Sequence, residues 1–423
     1  MNNFLYGLDF GTTNSVLSIY DEDKKEIIKT IRIPSLIYFP GNLGGKTENY
    51  VVGEQAITAY LEDGMKGRFI KSIKQILSRS SFIETRIQNK RYNAADLVAI
   101  ILKDLKARAD KIIGFDCKKA VIGRPVFFND DDAQKNTLAQ TRLSKAVEKA
   151  GFDQVRYQFE PIGAAFAYER TMLKKEKVLV ADLGGGTTDF TYLELDPTKA
   201  NSTDRRKDMI ASGGIYVGGD SFDSAFMWEK GTPYFGKDTM FQASPGKMLK
   251  VPMSLFENIC SWDKMNFFNS LRIKTSLQDY YHYSNNNEKF KNLLTLLDNN
   301  LGYSVFQSIE KTKIALSESD YSTFHYSNMG IEINELISME SYHAVIKKDL
   351  SRIANYLDKF LLDNNIQAED VDSLFLTGGT SMVKAVKQLF KDKFPKVKIN
   401  SGDSFTSVAK GLAYSGYLFG GGD

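Results

Sequence analysis

Cysteine, histidine and long apolar runs are what this 423-residue chain has least of. Two cysteines, Cys117 and Cys260, are too few for a disulfide framework and fit a reducing compartment. Three histidines tell against a Ser-His-Asp engine, and no His/Cys cluster has zinc spacing. No apolar stretch reaches the ~18–20 residues that cross a bilayer, so no membrane is expected as a partner. The N-terminus has neither the basic nor the apolar segment of an export signal, and the expected location is the cytoplasm. Charge of one sign is scarce too. A net charge of +3 with 25% charged residues argues for neither nucleic acid nor an acidic partner. The length suffices for a substantial core split into two lobes.

What is present is a repeated turn. Tyr6, Leu8 and Phe10 read as a buried strand running into Gly11-Thr12-Thr13-Asn14. Glycine lets backbone approach an oxyanion closely, and successive N–H groups there form an anion-binding concavity. A carboxylate beside such a cradle makes sense if a divalent cation sits between the two anions, directly or through water. Asp9 therefore reads as a metal-orienting group and Gly11–Asn14 as a phosphate cradle, although one D-x-G-T alone could equally be a hairpin turn. A second copy strengthens the reading. Val178–Ala181 leads into Asp182, then Leu183, Gly184-Gly185-Gly186, Thr187-Thr188 and Asp189, followed by strand Phe190–Leu195. Two duplicated halves facing each other would clamp a polyphosphate.

Along the chain, Phe4–Phe10, Ser15–Tyr20 and Ile27–Tyr38 read as three strands. A peripheral segment of about 41–110 opens on the Gly/Asn-rich loop Gly41–Asn49 and closes with helix Ala94–Ile113, whose Leu97, Ile101, Leu105 and Ile112 recur at helical spacing. Strand Ala120–Phe127, helix Asp132–Ala150 and a helix opening at Glu160-Pro161 follow. The stretch 227–305 holds both tryptophans, many other aromatics and the Asn run Asn285–Asn287. Its aromatic content predicts an extended, ordered subdomain. Helices are predicted at Val305–Ser317, Val383–Phe394 and Ser407–Phe419, with a Gly378-Gly379-Thr380-Ser381 turn after strand Val371–Leu376.

The paired turns resemble the two phosphate motifs of the ATPase superfamily shared by actin, hexokinase-type sugar kinases and heat-shock chaperones. D-F-G-T-T-N-S and D-L-G-G-G-T-T-D are most similar to the nucleotide-binding domain of DnaK-type chaperones. Three further stretches match that pattern in order: Glu160-Pro161 with its Ala-rich helix, Val217-Gly218-Gly219-Asp220-Ser221-Phe222-Asp223, and Glu310–Ser317. The resemblance implies ATP/ADP and Mg²⁺ as cofactors, the metal held largely through water by Asp9 and Asp182. It implies catalytic roles for Asp9, Lys74, Glu160, Asp182, Thr187 and Asp189, with Lys71 the runner-up for Lys74. Glu160 also reads as an ordinary first-turn charge. Nucleotide contacts are implied for Gly11–Asn14, Gly184–Thr187, Gly218, Gly219, Glu310, Lys313, Ser317 and Gly378–Ser381. Glu310, Lys313 and Ser317 share a helical face, which alone would read as a solvated surface. The family usually has arginines on the base where this chain has Ile314 and Met382, and a small residue or valine where it has Arg124.

The expected fold is a two-lobed α/β actin-like ATPase with a duplicated βββαβα core. Lobe I is expected at 1–173 with closing helix 405–423, and lobe II at 174–404 with a peripheral subdomain at about 227–305. The ending at Gly420-Gly421-Gly422-Asp423 resembles the YegD-like branch, which lacks a peptide-binding domain. The expected function is a chaperone-like ATP-binding and ATP-hydrolysing protein with unnamed clients or co-chaperones. The rival readings are a sugar-type kinase and an actin-like or nucleotide-sensing scaffold.

Overall fold

The computed structural model describes residues 3–41, 50–64, 66–129, 132–199, 205–261, 265, 271–284, 287–401 and 405–419. Most of the Gly41–Asn49 loop, most of the Asn285–Asn287 run and residues 420–423 lie outside the described residues.

Two five-stranded sheets repeat one plan. In the first, Phe4–Phe10 pairs antiparallel with Asn14–Asp21, which pairs antiparallel with Glu26–Pro34. On its other side Phe4–Phe10 runs parallel to Lys119–Arg124, and that strand parallel to Gln154–Phe159. In the second, Glu176–Leu183, Thr188–Leu195 and Met209–Ile215 form the same antiparallel trio, extended in parallel by Ser373–Thr377 and Lys398–Ser401. The central strands are apolar on both faces, as parallel neighbours covered by helices require. Thus Leu5, Tyr6 and Leu8, and likewise Val178, Leu179 and Val180, are buried.

Local chemistry sets the helix ends. Helix Ala94–Ile113 starts at a reciprocal cap: Asn93 Oδ1 accepts from the Asp96 N–H at 3.0 Å, and Asp96 Oδ2 from the Asn93 N–H at 2.9 Å. Asp132 caps helix Ala133–Lys149 from one side, its Oδ1 accepting from the Gln134 and Lys135 N–H groups at 2.9 and 3.1 Å. The predicted third strand is interrupted. Glu26–Pro34 ends at proline, and Ile37–Phe39 joins a separate sheet with Val51–Val52 and Arg68–Ile70. Between them Ser35 leaves the ladder to brace the first turn, its N–H donating to Thr13 O and its hydroxyl to Gly11 O, each at 2.8 Å. Strand Lys119–Arg124 stops short of the predicted Phe127 because Pro125 has no N–H to donate. The predicted closing helix is Ser407–Tyr414 followed by a tighter turn, Ser415–Phe419.

The stretch after residue 227 is ordered where described. It runs through a hairpin (Met240–Ser244 with Lys247–Lys250) and helices Met253–Ile259, Leu271–Tyr283 and Asn287–Asp298. Its aromatics form a core: Phe235, Phe256 and Phe290 are fully buried. The lobes also touch through aromatic rings. Phe69 and Tyr60 of the first lobe meet Tyr303 of the second with ring centroids 4.8 and 6.0 Å apart. The Tyr60 hydroxyl donates to Asn300 O at 3.3 Å.

The connecting helix Glu160–Glu169 and the closing helix Ser407–Tyr414 cross between the sheets. They approach so closely that a Cβ on Gly411 would lie 1.6 Å from the carbonyl oxygen of Gly163. A Cβ on Gly163 would meet only side-chain and carbonyl atoms at 3.1 Å or more. Denaturant unfolding should therefore show Gly411→Ala costing ~3 kcal/mol or more and Gly163→Ala about 1 kcal/mol. The reverse ranking would mean the helices do not cross at these glycines.

Candidate functional site

A cleft of ≈ 590 Å³ opens between the two sheets, inside the ~300–1,000 Å³ range of small-molecule sites. Both Asp-Gly-hydroxyl turns line it and face one another: a Cβ on Gly185 would lie 2.1 Å from Thr13 Oγ1. Thr12 also approaches the other turn, its methyl 3.6 Å from a Cβ position on Gly186. Gly11 and Asn14 complete the lobe-one wall. The Gly184 N–H is spent on Thr187 O at 2.9 Å, whereas the N–H groups of Thr12, Thr13, Gly185 and Gly186 make no backbone hydrogen bond among the described residues. Such N–H groups, turned toward one cavity, suit an oxyanion.

The charged floor is built by three elements. Asp9 and Asp182 occupy equivalent places near the ends of the two central strands. Glu160 opens the connecting helix, Pro161 setting its first turn. Lys74 arrives on the short turn Ile73–Ile76, after Ser72 takes a left-handed conformation at φ 55°. A non-glycine residue there stores of order 1–3 kcal/mol, and the bend carries the Lys74 ammonium to Glu160, where it donates to Oε1 at 2.7 Å and Oε2 at 2.9 Å. Lys71, one turn earlier, does not line the cleft and instead pairs with Asp220 of the other lobe at 3.7 Å. Thr187 donates to Asp189 Oδ2 at 2.8 Å, so this hydroxyl is oriented by the carboxylate two residues on.

Negative charge exceeds positive on this floor. Burial, then the Glu160 charge, and then Asp182 push the Asp9 carboxyl up to about 8, against the opposing pull of Lys74. Burial, followed by Asp189 and Glu160, pushes Asp182 up to about 7. Burial alone would lower Lys74, but Glu160 and Asp9 outweigh it and hold the ammonium above its ordinary value. No group of three or more metal-ligating side chains occurs among the described residues. The donor set left is a pair of crowded carboxylates, which fits a hydrated hard cation better than an all-protein cage.

Other predicted contacts serve the scaffold. Gly378 lines the cleft at φ +81°, where a Cβ would strike Leu183 O at 2.3 Å and Asp182 Oδ1 at 2.7 Å, so only glycine fits. Gly379 beside it also lines the cleft. The Thr380 hydroxyl, however, donates to Gly184 O and that of Ser381 to Gly378 O, each at 2.7 Å and both residues buried. The first hydroxyl holds the two glycine turns together, the second closes its own turn, and neither residue lines the cleft. Gly218 and Gly219 act similarly. The N–H groups of Gly219 and Asp220 donate to the carbonyls of Gly184 and Gly185 at 3.1 and 2.7 Å, bracing that turn from behind.

On helix Gly302–Glu318, Lys313 is held by Asp223 at 2.7 Å, Ser317 donates back to Lys313 O at 3.2 Å and Glu310 is exposed. None of the three lines the cleft. Residues the sequence reading left out do: Gln75, Tyr216 and Ser224 among them. Asp220, Ser221 and Ser224 fall on one face of helix Gly219–Phe226, and that spacing was a usable signal. Tyr216 and Phe405 carried none, since neither lies in a recognisable pattern.

The sequence model of the family described as "Hsp70 protein" matches residues 5–238 and 282–422, so both sheets and both turns fall within it. The described residues between include the hairpin and helix Met253–Ile259 of the aromatic-rich stretch. Among curated relatives, "Chaperone protein DnaK" of Thermosipho melanesiensis is 27% identical over 431 residues, covering 99% of this chain and 60% of that protein. Proteins of the same description from Mycoplasmopsis agalactiae and Thermotoga maritima are each 27% identical, covering 99% of this chain and 59% and 60% of their own lengths. The chain thus spans about three fifths of the length of the relatives it matches. With a matched family model over most of its length and a duplicated sheet around two facing phosphate-type turns, the chain belongs to the Hsp70 family.

Proposed function

We propose that this cleft binds ATP and hydrolyses it to ADP and phosphate in a chaperone-type cycle, in the cytoplasm, with clients and co-chaperones that the chain itself does not name. One observation carries the reading. The Gly11–Asn14 and Gly184–Thr187 turns meet across a cavity whose floor holds one ammonium among four carboxylates, those of Asp9, Glu160, Asp182 and Asp189. Such a floor suits a phosphate chain accompanied by a cation and would repel a bare anion.

Phosphoryl transfer to water needs the terminal phosphate fixed, its charge offset and a water lined up. The N–H groups of Thr12, Thr13, Gly185 and Gly186 fix the phosphate. Lys74 offsets charge, and its bidentate tie to Glu160 keeps the ammonium from swinging away. Glu160 Oε atoms are placed to accept a proton from a water in the cleft. Thr187, aimed by Asp189, steadies the departing group. Mg²⁺ held through water by Asp9 and Asp182 would supply charge neutralisation between the phosphates. The lobes of this proposal are residues 1–173 with the closing helix, and 174–404.

Single-turnover hydrolysis should fall ~10²–10³-fold in Asp9→Asn, Asp182→Asn, Lys74→Ala and Glu160→Gln, the size expected for one pre-positioned charge. Lys71→Ala should stay within a few-fold of wild type, because its partly exposed pair with Asp220 is worth at most about 1 kcal/mol. Unchanged turnover in all four floor variants would reduce the cleft to a binding site. Chelating divalent cations should lower turnover by ~10²-fold or more, with restoration on adding Mg²⁺ back. Equal rates with and without chelator would remove the metal from the reading.

A further inference from the structure

A second concavity opens in lobe II, between helix Gly219–Phe226 with its continuation Met227–Gly231 and the long helix Met339–Asp363. Its volume is ≈ 1120 Å³, larger than the cleft. No residue of either phosphate turn lines it, yet Ser221 and Ser224 line both cavities. The two helices are joined where buried Phe226 meets buried Tyr342, their ring centroids 6.1 Å apart. Ala225 and Val345 give the groove an apolar strip, one residue from each helix.

The two walls differ in charge. On the long helix Lys348, Arg352 and Asn355 follow at spacings of four and three, so they share one face over ~10 Å. Lys347 stands beside Lys348. Arg352 donates to Asp349 Oδ1 at 2.9 Å, which occupies that carboxylate. Lys347 and Lys348 are exposed and make no ion pair or hydrogen bond among the described residues. The opposite wall offers the indole of Trp228 and one carboxylate, Glu229, which pairs with no cation among the described residues. Trp228 is held in place. Thr232 Oγ1 and Lys237 Nζ both donate to its carbonyl, at 2.6 and 2.7 Å, and the Lys237 ammonium lies 4.5 Å from the ring centroid. Its indole N–H donates to nothing among the described residues, although such a group ordinarily takes an acceptor when covered. Two ammonium groups and an indole N–H thus line one groove around an apolar strip. The chain's net charge of +3 is silent on so local an arrangement.

We propose that this groove is the docking site for an acidic segment of a partner protein. Its carboxylates would meet Lys347, Lys348 and the Trp228 N–H, and its apolar side chains would cover Ala225 and Val345. A nucleic acid fits less well. Glu229 and Asp349 stand in the same groove, and a backbone with a phosphate at every nucleotide would be pressed against them. A segment that carries carboxylates along one side only avoids that repulsion. The helix it touches is the one whose first N–H groups brace the Gly184 and Gly185 carbonyls, so the partner sits on an element that supports the phosphate turn. Docking here is independent of whether the cleft hydrolyses ATP.

Fluorescence anisotropy on the full chain tests this with a labelled peptide in which Glu recurs every third or fourth residue among Leu and Ala. The comparison ligands are the same peptide with Gln for Glu and a single-stranded oligothymidylate. The acidic peptide should bind with a Kd of ~1–100 μM, and the Gln peptide at least ~10-fold more weakly. Lys347→Glu combined with Lys348→Glu should cost the acidic peptide ~10-fold or more, since both side chains are exposed and reversal turns attraction into repulsion. Trp228→Phe keeps a ring, removes the N–H and should weaken binding about 3- to 10-fold. No binding of the acidic peptide below ~1 mM, equal binding of the two peptides, or an unchanged Kd in either variant overturns the proposal. Tighter binding of the oligothymidylate makes the groove a nucleic-acid site instead. Self-association of the unliganded chain in sedimentation, abolished by the same charge reversal, gives the groove to a second copy and likewise overturns the proposal.

Discussion

The walls of the cleft meet at two helices that cross at a point where neither carries a side chain. Gly411 lies against the Gly163 carbonyl, and Gly7 of the first central strand is also closely pressed, a Cβ there falling 2.2 Å from Ala413 N. Close packing of backbone on backbone leaves no room for a sheet to slide. Glu160 at one end of this crossing and Val408 at the other are thereby fixed at the floor and wall of the cleft. The far end of the connecting helix is fixed as firmly, since buried Glu169 accepts from both terminal nitrogens of buried Arg205, at 2.7 and 3.0 Å.

The charged floor is unfavourable when considered alone. Two aspartates with raised proton affinities, crowded by Glu160 and Asp189, are tolerated because the scaffold is over-determined around them. Thr380 locks one glycine turn to another, Ser381 closes its own turn, the start of helix Gly219–Phe226 braces the second turn, and Ser35 braces the first. Functional strain is thus spread over a ring of hydroxyls and N–H groups behind the site. The cost of ordering the site falls on folding and is not charged to ligand binding.

The turns themselves were legible from sequence because their chemistry is local: an apolar strand, a carboxylate, glycine and hydroxyls in consecutive positions. The duplicated sheet followed from finding that pattern twice, and the strand orders agree element by element. Orientation was not legible. A serine or threonine beside a glycine turn can serve a ligand or a carbonyl, and only tertiary packing decided that Thr380 and Ser381 serve carbonyls. That Lys74 and not Lys71 lines the cleft goes with one left-handed serine, a conformation that residue type does not disclose. The break in the third strand was partly visible, since Pro34 is unsuited to a ladder, but its use as a brace required knowing where Thr13 lies. Phe405 reaches the cleft through the chain's return to the first lobe, and no short pattern encodes such a return.

The rings of Tyr60, Phe69 and Tyr303 join the two lobes by apolar contact. Parting them wets hydrocarbon surface, so the free energy of opening carries a positive heat capacity, unlike the rupture of a surface ion pair. Hydrophobic closure also weakens on cooling. The join between the lobes is therefore thermally graded, held more firmly in warmth than in cold.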